Sequence, residues 1–249
     1  MIKLALVGSG NLAHHFYESI LPLEEIQLVG VLSRNAETLA SFDAVLTTTD
    51  PLALPAADLT IIAVSDDSIS KVSQKLEQKH GLLAHTSGAQ TLNAIAGQRR
   101  GVCYPLQTFS KSRAVDFSTI PFCLEAETEK DYELLEYFCS LLTQRVVRMN
   151  SDDRKHLHLA AVYVNNFVNQ LYQRAYEILD GRDLPFDLLH PLILETANKV
   201  MDNRPSDVQT GPAKRGDQGI MEAHLEIQSE ANQKIYTLLT QAIQNSQNT

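Results

Sequence analysis

The chain has 249 residues, 44% hydrophobic and 20% charged, a composition of globular type and a length sufficient for one large or two modest cores. Its formal net charge is −9 and no Lys/Arg cluster exceeds Arg99-Arg100, which speaks against a nucleic-acid partner. The N-terminus shows no basic region followed by an apolar stretch and cleavage site. No run approaches the roughly 18 to 20 apolar residues of a membrane span, so a cytoplasmic protein without a membrane partner is expected. Three cysteines, Cys103, Cys123 and Cys139, give neither an even count nor a C-x-x-C spacing, and read as buried small hydrophobes. The histidines, including His14-His15 and His156-x-His158, lack H-x-x-x-H spacing, so no metal site is expected.

The first element is the most informative. Ile2 to Val7 is an apolar run that breaks into Gly8-Ser9-Gly10-Asn11-Leu12-Ala13 and resumes at helical spacing. Strand, Gly-x-Gly-x-x-Ala turn and helix start are the parts of a dinucleotide fingerprint: Gly8 for the tight turn, Gly10 for close backbone approach, Ala13 for helix packing on the strand. A pyrophosphate would rest on the free N–H groups of the helix beginning near Asn11. After that helix (11–21), a second strand (27–32) completes a βαβ unit. It ends in Ser33-Arg34-Asn35, where an NAD-binding protein usually places an acid for the ribose 2′-hydroxyl. Ser33 and Arg34 suit a 2′-phosphate instead, so the expected cofactor is NADP; an arginine on a surface loop is the plainer alternative.

A short helix (36–42) and strand (45–48) follow. The continuous apolar strand 58–64 is of the kind covered on both faces, and Ser65-Asp66-Asp67-Ser68 caps a helix to about Lys79. The next strand, 82–84, exits into His85-Thr86-Ser87-Gly88-Ala89, placed beyond the carboxyl ends of a parallel sheet, where a nicotinamide and substrate would meet; a capping role for Thr86 or Ser87 is compatible with this. Strands at 101–105, 120–125 and 145–149 and a helix at 128–142 complete the region.

From Ser151 the pattern is helical. A helix over 151–179 puts Leu157, Ala160, Ala161, Val164, Phe167, Val168, Leu171, Ala175 and Ile178 on one side and the polar stripe His158, Asn165, Asn166, Asn169 and Gln173 on the other. Such a stripe either is simply solvated or faces a cleft or subunit partner. A second helix spans 186–201 and a last one 220–242. Between them the loop 203–219 carries Thr210-Gly211-Pro212-Ala213-Lys214-Arg215-Gly216-Asp217, either a solvated connection or a charged functional loop.

Taken together, the Gly8 turn, the Asp58-to-Asp67 run, His85-Thr-Ser-Gly-Ala, Tyr104-Pro-Leu-Gln-Thr-Phe, His158 followed by Asn166, and Thr210-Gly-Pro-Ala-Lys-Arg-Gly-Asp with His224-Leu225 resemble one family over nearly the whole chain. It comprises Rossmann-like candidate NADP oxidoreductases with a helical C-terminal domain of unknown function, with pyrroline-5-carboxylate reductase and the β-hydroxyacid dehydrogenases as fold relatives. The resemblance implies an α/β fold: an N-terminal NADP-binding Rossmann domain (1–150) with a mostly parallel, doubly wound sheet. An all-α substrate and dimerisation domain (151–249) follows, resembling the C-terminal domain of 6-phosphogluconate dehydrogenase. There are two departures. Tyr104 stands where the family pattern has His, and Val162 stands four residues before Asn166, where the β-hydroxyacid dehydrogenases place a catalytic Lys.

The function expected is hydride transfer between NADPH and a small carbonyl or imine compound bound between the two domains; an inactive NADP-binding regulatory or scaffold protein is the alternative. Gly8, Ser9, Gly10, Asn11 and Leu12 are assigned to the pyrophosphate, Ser33 and Arg34 to the 2′-phosphate, Val64 and Ser65 to the nicotinamide side. His85 or His158 is the expected proton donor, since histidine titrates near neutrality, and Ser87 and Asn166 would orient the substrate. By similarity to pyrroline-5-carboxylate reductase, Arg215 would grip a substrate carboxylate. A homodimer through the helical domain is expected.

Overall fold

The computed structural model describes residues 1–79 and 81–246. Its core is an eight-stranded sheet in the order β3-β2-β1-β4-β5-β6-β7-β8, formed by β1 (Ile2–Val7), β2 (Ile26–Leu32), β3 (Thr47–Thr48), β4 (Leu59–Ile62), β5 (Leu82–His85), β6 (Arg100–Pro105), β7 (Phe122–Ala126) and β8 (Val146–Arg148). All neighbouring pairs are parallel except β6 with β7, so the mostly parallel, doubly wound sheet is as expected. Strand alternation divides the core. Leu4 and Leu6 of β1 pack with Phe16 and Ile20 of α1 (Asn11–Ile20) and with Leu135 and Phe138 of α3 (Glu129–Ser140). Ala5 and Val7 face the other way, onto Ile69 and Leu76 of α2 (Asp66–Leu76). Every residue of β4 is buried, Thr60 included, as in a strand covered on both faces.

The chain separates into Met1–Asn166 and Phe167–Thr249. The division falls after Asn166 rather than at the expected 150, because the first helical turns beyond the sheet are bound to it. Asn150 caps α4 (Ser151–Ala161) by accepting from the N–H groups of Asp152 and Asp153, and Arg154 is fully buried. Its guanidinium pairs with Glu125 of β7 at 2.5 Å and donates to the Gln90 carbonyl at 2.7 Å. The single helix expected over 151–179 is interrupted by a π-helical segment, Val162–Phe167, before α5 (Val168–Asp180).

The second unit contains α5, α6 (His190–Asp202), α7 (Pro212–Arg215), α8 (Gln218–Glu226) and α9 (Glu230–Asn245). The 203–219 stretch, read as a loop, contains α7, which is entered through Gly211 at φ +108° and left through Gly216 at φ +68°. A side chain rarely adopts these angles. The one last helix expected over 220–242 is two, broken at 227–229, with Gln233 Nε2 donating to the carbonyls of Leu225 in the last turn of α8 and of Gln228 in the break. Leu171, Ile178, Leu192, Leu194, Met201 and Leu238 are exposed, and among the described residues of this unit only Ala213 and Met221 are buried apolar side chains. No helix among the described residues is long and apolar enough to cross a membrane.

Candidate active site

At the carboxyl ends of the strands, Gly8, Ser9, Gly10, Asn11, Leu12, Ser33, Arg34, Val64 and Ser65 all line one cavity of about 590 Å³. Gly8 has φ +124°, and a Cβ there would stand 2.1 Å from the Ala63 carbonyl oxygen; only glycine lets β1 turn beside the end of β4. A Cβ on Gly10 would meet nothing within 4 Å, which leaves open space over the start of α1. That helix has no side-chain cap and no acidic residue in its first turn, so its free N–H groups and positive dipole end face the cavity. The residues therefore fit a dinucleotide pyrophosphate. Asn11 takes part through its backbone, since its side-chain amide donates to the Phe109 carbonyl at 2.8 Å. Ser9 Oγ lies 2.7 Å from Ser33 Oγ and 2.6 Å from Thr38 Oγ1, which fastens the glycine turn to the end of β2. Arg34 is exposed at the cavity wall and has no ion pair among the described residues.

The loop after β5 divides the expected catalytic residues. His85 is fully buried, and its Nδ1 accepts from the Ser87 N–H at 3.1 Å. Nε2 therefore carries the proton and donates to the Thr91 carbonyl at 3.1 Å. Burial lowers its pKa to about 4. His85 is thus a neutral brace of the loop, a correction to its expected role as a proton donor. Ser87 is half-buried, and its Oγ accepts from the N–H groups of Ala89 and Gln90, which shapes the turn; it lines neither this cavity nor the one beside His158. Thr86, between them, lines the cofactor-sized cavity.

His158 and Asn166 have a different setting. Both line a second cavity, about 320 Å³, with Tyr104, Gln107, Thr108, Val162 and Asn165 among its walls and no formally charged residue. Tyr104 Oη lies 3.1 Å from His158 Nδ1, and burial pushes the phenol up to about 12, so it remains protonated. When the phenol donates to Nδ1, the imidazole proton sits on Nε2. Gly88 closes this arrangement from the β5 loop: a Cβ there would be 2.6 Å from His158 Nδ1 and 2.7 Å from Tyr104 Cζ. Thr86 on the first cavity and Gly88 against the Tyr104–His158 pair are thus two residues apart in one loop. The π-helical segment, of a type frequent at functional sites, supplies Val162, Asn165 and Asn166 to the cavity wall.

Arg215 lies in the second unit, at the end of α7, exposed and without an ion pair among the described residues. Sequence reasoning missed Arg154, which looked like an ordinary charged position on an amphipathic helix, and Gly88, whose need for a missing Cβ is visible only in three dimensions. The departure of Tyr104 from the family's His gave no sign of its contact with His158.

These features define a Rossmann-type dinucleotide fold followed by a helical region. Residues 120–243 match the family model described as Domain of unknown function (DUF2520). A Bacteroides fragilis protein described as a candidate NADP oxidoreductase has 37% sequence identity over 98% of each chain, with a TM-score of 0.91, and the chain belongs to this family. A Thermotoga maritima protein has 24% identity over 96% of this chain and 99% of its own, TM-score 0.75. The imine reductase of Myxococcus stipitatus, in complex with NADP+, shares the fold at 13% identity over 99% and 94% of the two chains, TM-score 0.65. No functionally curated protein matches the chain in sequence.

Proposed function

We propose that this chain is an NAD(P)-dependent oxidoreductase, and specifically an NADP-dependent one acting on a small carbonyl or imine compound. One observation carries the reading: the uncapped N-terminus of α1 opens, through Gly10, onto a cavity whose far end holds Ser33 and Arg34 in place of an acid. The description of the Bacteroides fragilis relative as a candidate NADP oxidoreductase supports it.

In this reading the α1 N–H groups hold the pyrophosphate, Ser33 and Arg34 the 2′-phosphate, and Val64, Ser65 and Thr86 flank the nicotinamide. NADPH when bound supplies the hydride. Protonated His158 is the proton donor through Nε2–H, its Nδ1–H then donating to the Tyr104 oxygen, which fixes the ring orientation, and Asn165 and Asn166 orient the substrate. The uncharged lining of the second cavity favours a neutral reacting end, so a carboxylate grip by Arg215 is not part of the proposal. The exposed leucines of the second unit, an apolar surface of the kind that marks protein interfaces, support a homodimer through the helical region.

The test is the pair of dissociation constants for NADPH and NADH, for the wild type and Arg34→Ala. A preference of about tenfold or more for NADPH, about 1.4 kcal/mol, that disappears in the variant supports the cofactor; failure of both nucleotides to bind removes the reading. A non-catalytic NADP sensor is the second reading, favoured by Val162 at the catalytic-lysine position of the β-hydroxyacid dehydrogenases. Substrate-dependent NADPH oxidation across a carbonyl and imine panel decides between them.

A further inference from the structure

The cofactor-sized cavity has a third wall that the glycine turn and Arg34 do not account for. Ser68, Lys71, Val72 and Lys75 line it from α2, at the i, i+3, i+4 and i+7 spacing of a single helical face. Across the same helix, Ile69, Ser73 and Leu76 are buried, so packing of α2 on the sheet turns this face toward the cavity.

Lys71 and Lys75 are both exposed, and neither has an ion pair among the described residues. Asp67, one turn before Lys71, does not line the cavity. Two like charges at i, i+4 work slightly against the helix, by a few tenths of a kcal/mol (about 0.2–0.5). The next lysine in the same row, Lys79, is committed elsewhere: its Nζ donates to the carbonyls of Leu52 and Leu54 at 2.8 and 2.6 Å, bracing the turn whose Pro51 also lines the cavity.

With Arg34, three unpaired cations and no Asp or Glu line one cavity in a chain of net charge −9. The free N–H groups of α1 already answer the pyrophosphate, and an adenosine ribose bearing only hydroxyls gives these cations no partner. A 2′-phosphate, at about −1.5 to −2 near neutral pH, does.

We propose that Lys71 and Lys75 are specificity-determining residues that, opposite Arg34, select a dinucleotide carrying a phosphate on its adenosine ribose. The inference rests on the NADP reading above and adds to it a second side of the phosphate site, on α2.

The test uses the full-length protein and fluorescence titration with NADPH and NADH. Lys71→Ala/Lys75→Ala is compared with the wild type, with Lys71→Arg/Lys75→Arg, and with Lys130→Ala as a control for net charge on a distant exposed helix position. A tenfold or greater loss of NADPH affinity, NADH affinity within twofold, retention in the arginine pair and no change in the control support the proposal. Equal losses for both nucleotides would assign the lysines to the pyrophosphate and overturn it, as would an NADPH preference that survives in the double alanine variant while Arg34→Ala abolishes it. A wild type that binds neither nucleotide, or prefers NADH, overturns the NADP reading and this inference together.

Discussion

Tyr104 and His158 are 54 positions apart in sequence, yet the phenol oxygen of one lies 3.1 Å from Nδ1 of the other, with their rings edge-on at 5.9 Å. Gly88 fills the remaining side so closely that a single added carbon would displace both. The imidazole is held by a protonated phenol and a backbone, and among the described residues Nε2 has no hydrogen-bond partner.

Replacing His158 with Gln is expected to lower NADPH-dependent turnover by about 100-fold or more, the usual contribution of a positioned acid, while NADPH affinity stays within about twofold. Gly88→Ala should reproduce much of that loss without removing either ring. Steady-state kinetics on any active carbonyl or imine, with a parallel NADPH titration, checks both; a fully active His158→Gln protein removes the proton-donor role.

His85 predicts a pH dependence of stability. In the unfolded chain it takes up a proton near its ordinary value of 6.5, whereas burial holds the folded-state value at about 4. The unfolded state thus binds more protons between those values, so the contribution is complete above pH 6.5 and is lost as pH falls toward 4. The loss amounts to about 3 kcal/mol. Urea unfolding of wild type and His85→Gln across this window should show a shallower acid dependence in the variant.

Arg154 is expected to be the most costly single charge to remove. Arg154→Met leaves Glu125 in a mostly buried setting without its cation and frees the Gln90 carbonyl, a loss of about 3–5 kcal/mol. Adding Glu125→Gln should restore part of it, because the uncompensated charge is then gone. Chemical denaturation of the single and double variants measures both effects.

Light scattering of the wild type should give twice the chain mass. Leu192→Glu with Leu238→Glu, two positions 62% and 68% exposed in the isolated chain, is expected to yield monomers with an intact circular dichroism spectrum. A monomeric wild type removes the homodimer.

Local signals determined much of this protein. The Gly8 turn, the β-branched strand over 58–64 and the absent acid after β2 are short-range features whose chemistry is set by neighbouring residues. They led to the parallel sheet and to nine of the residues that line the first cavity. Even Gly8, with its positive φ, announces itself through the turn it must make.

Tertiary structure alone decided what the polar residues beyond that turn do. His85 and Ser87 look catalytic in sequence, but His85 is buried with both ring nitrogens bonded to backbone groups within six residues, and Ser87 Oγ accepts from two backbone N–H groups of its own turn. Tyr104 gains a role because β6 delivers it to a helix 54 positions away, and Arg154 because the sheet encloses it. Lys71 and Lys75 give no functional signal in the sequence, and it is the packing of Ile69 and Leu76 that fixes which way α2 is turned. A side chain's type fixes the chemistry it is capable of; its desolvation and its partners, which depend on contacts remote in sequence, fix which of those capacities remains free.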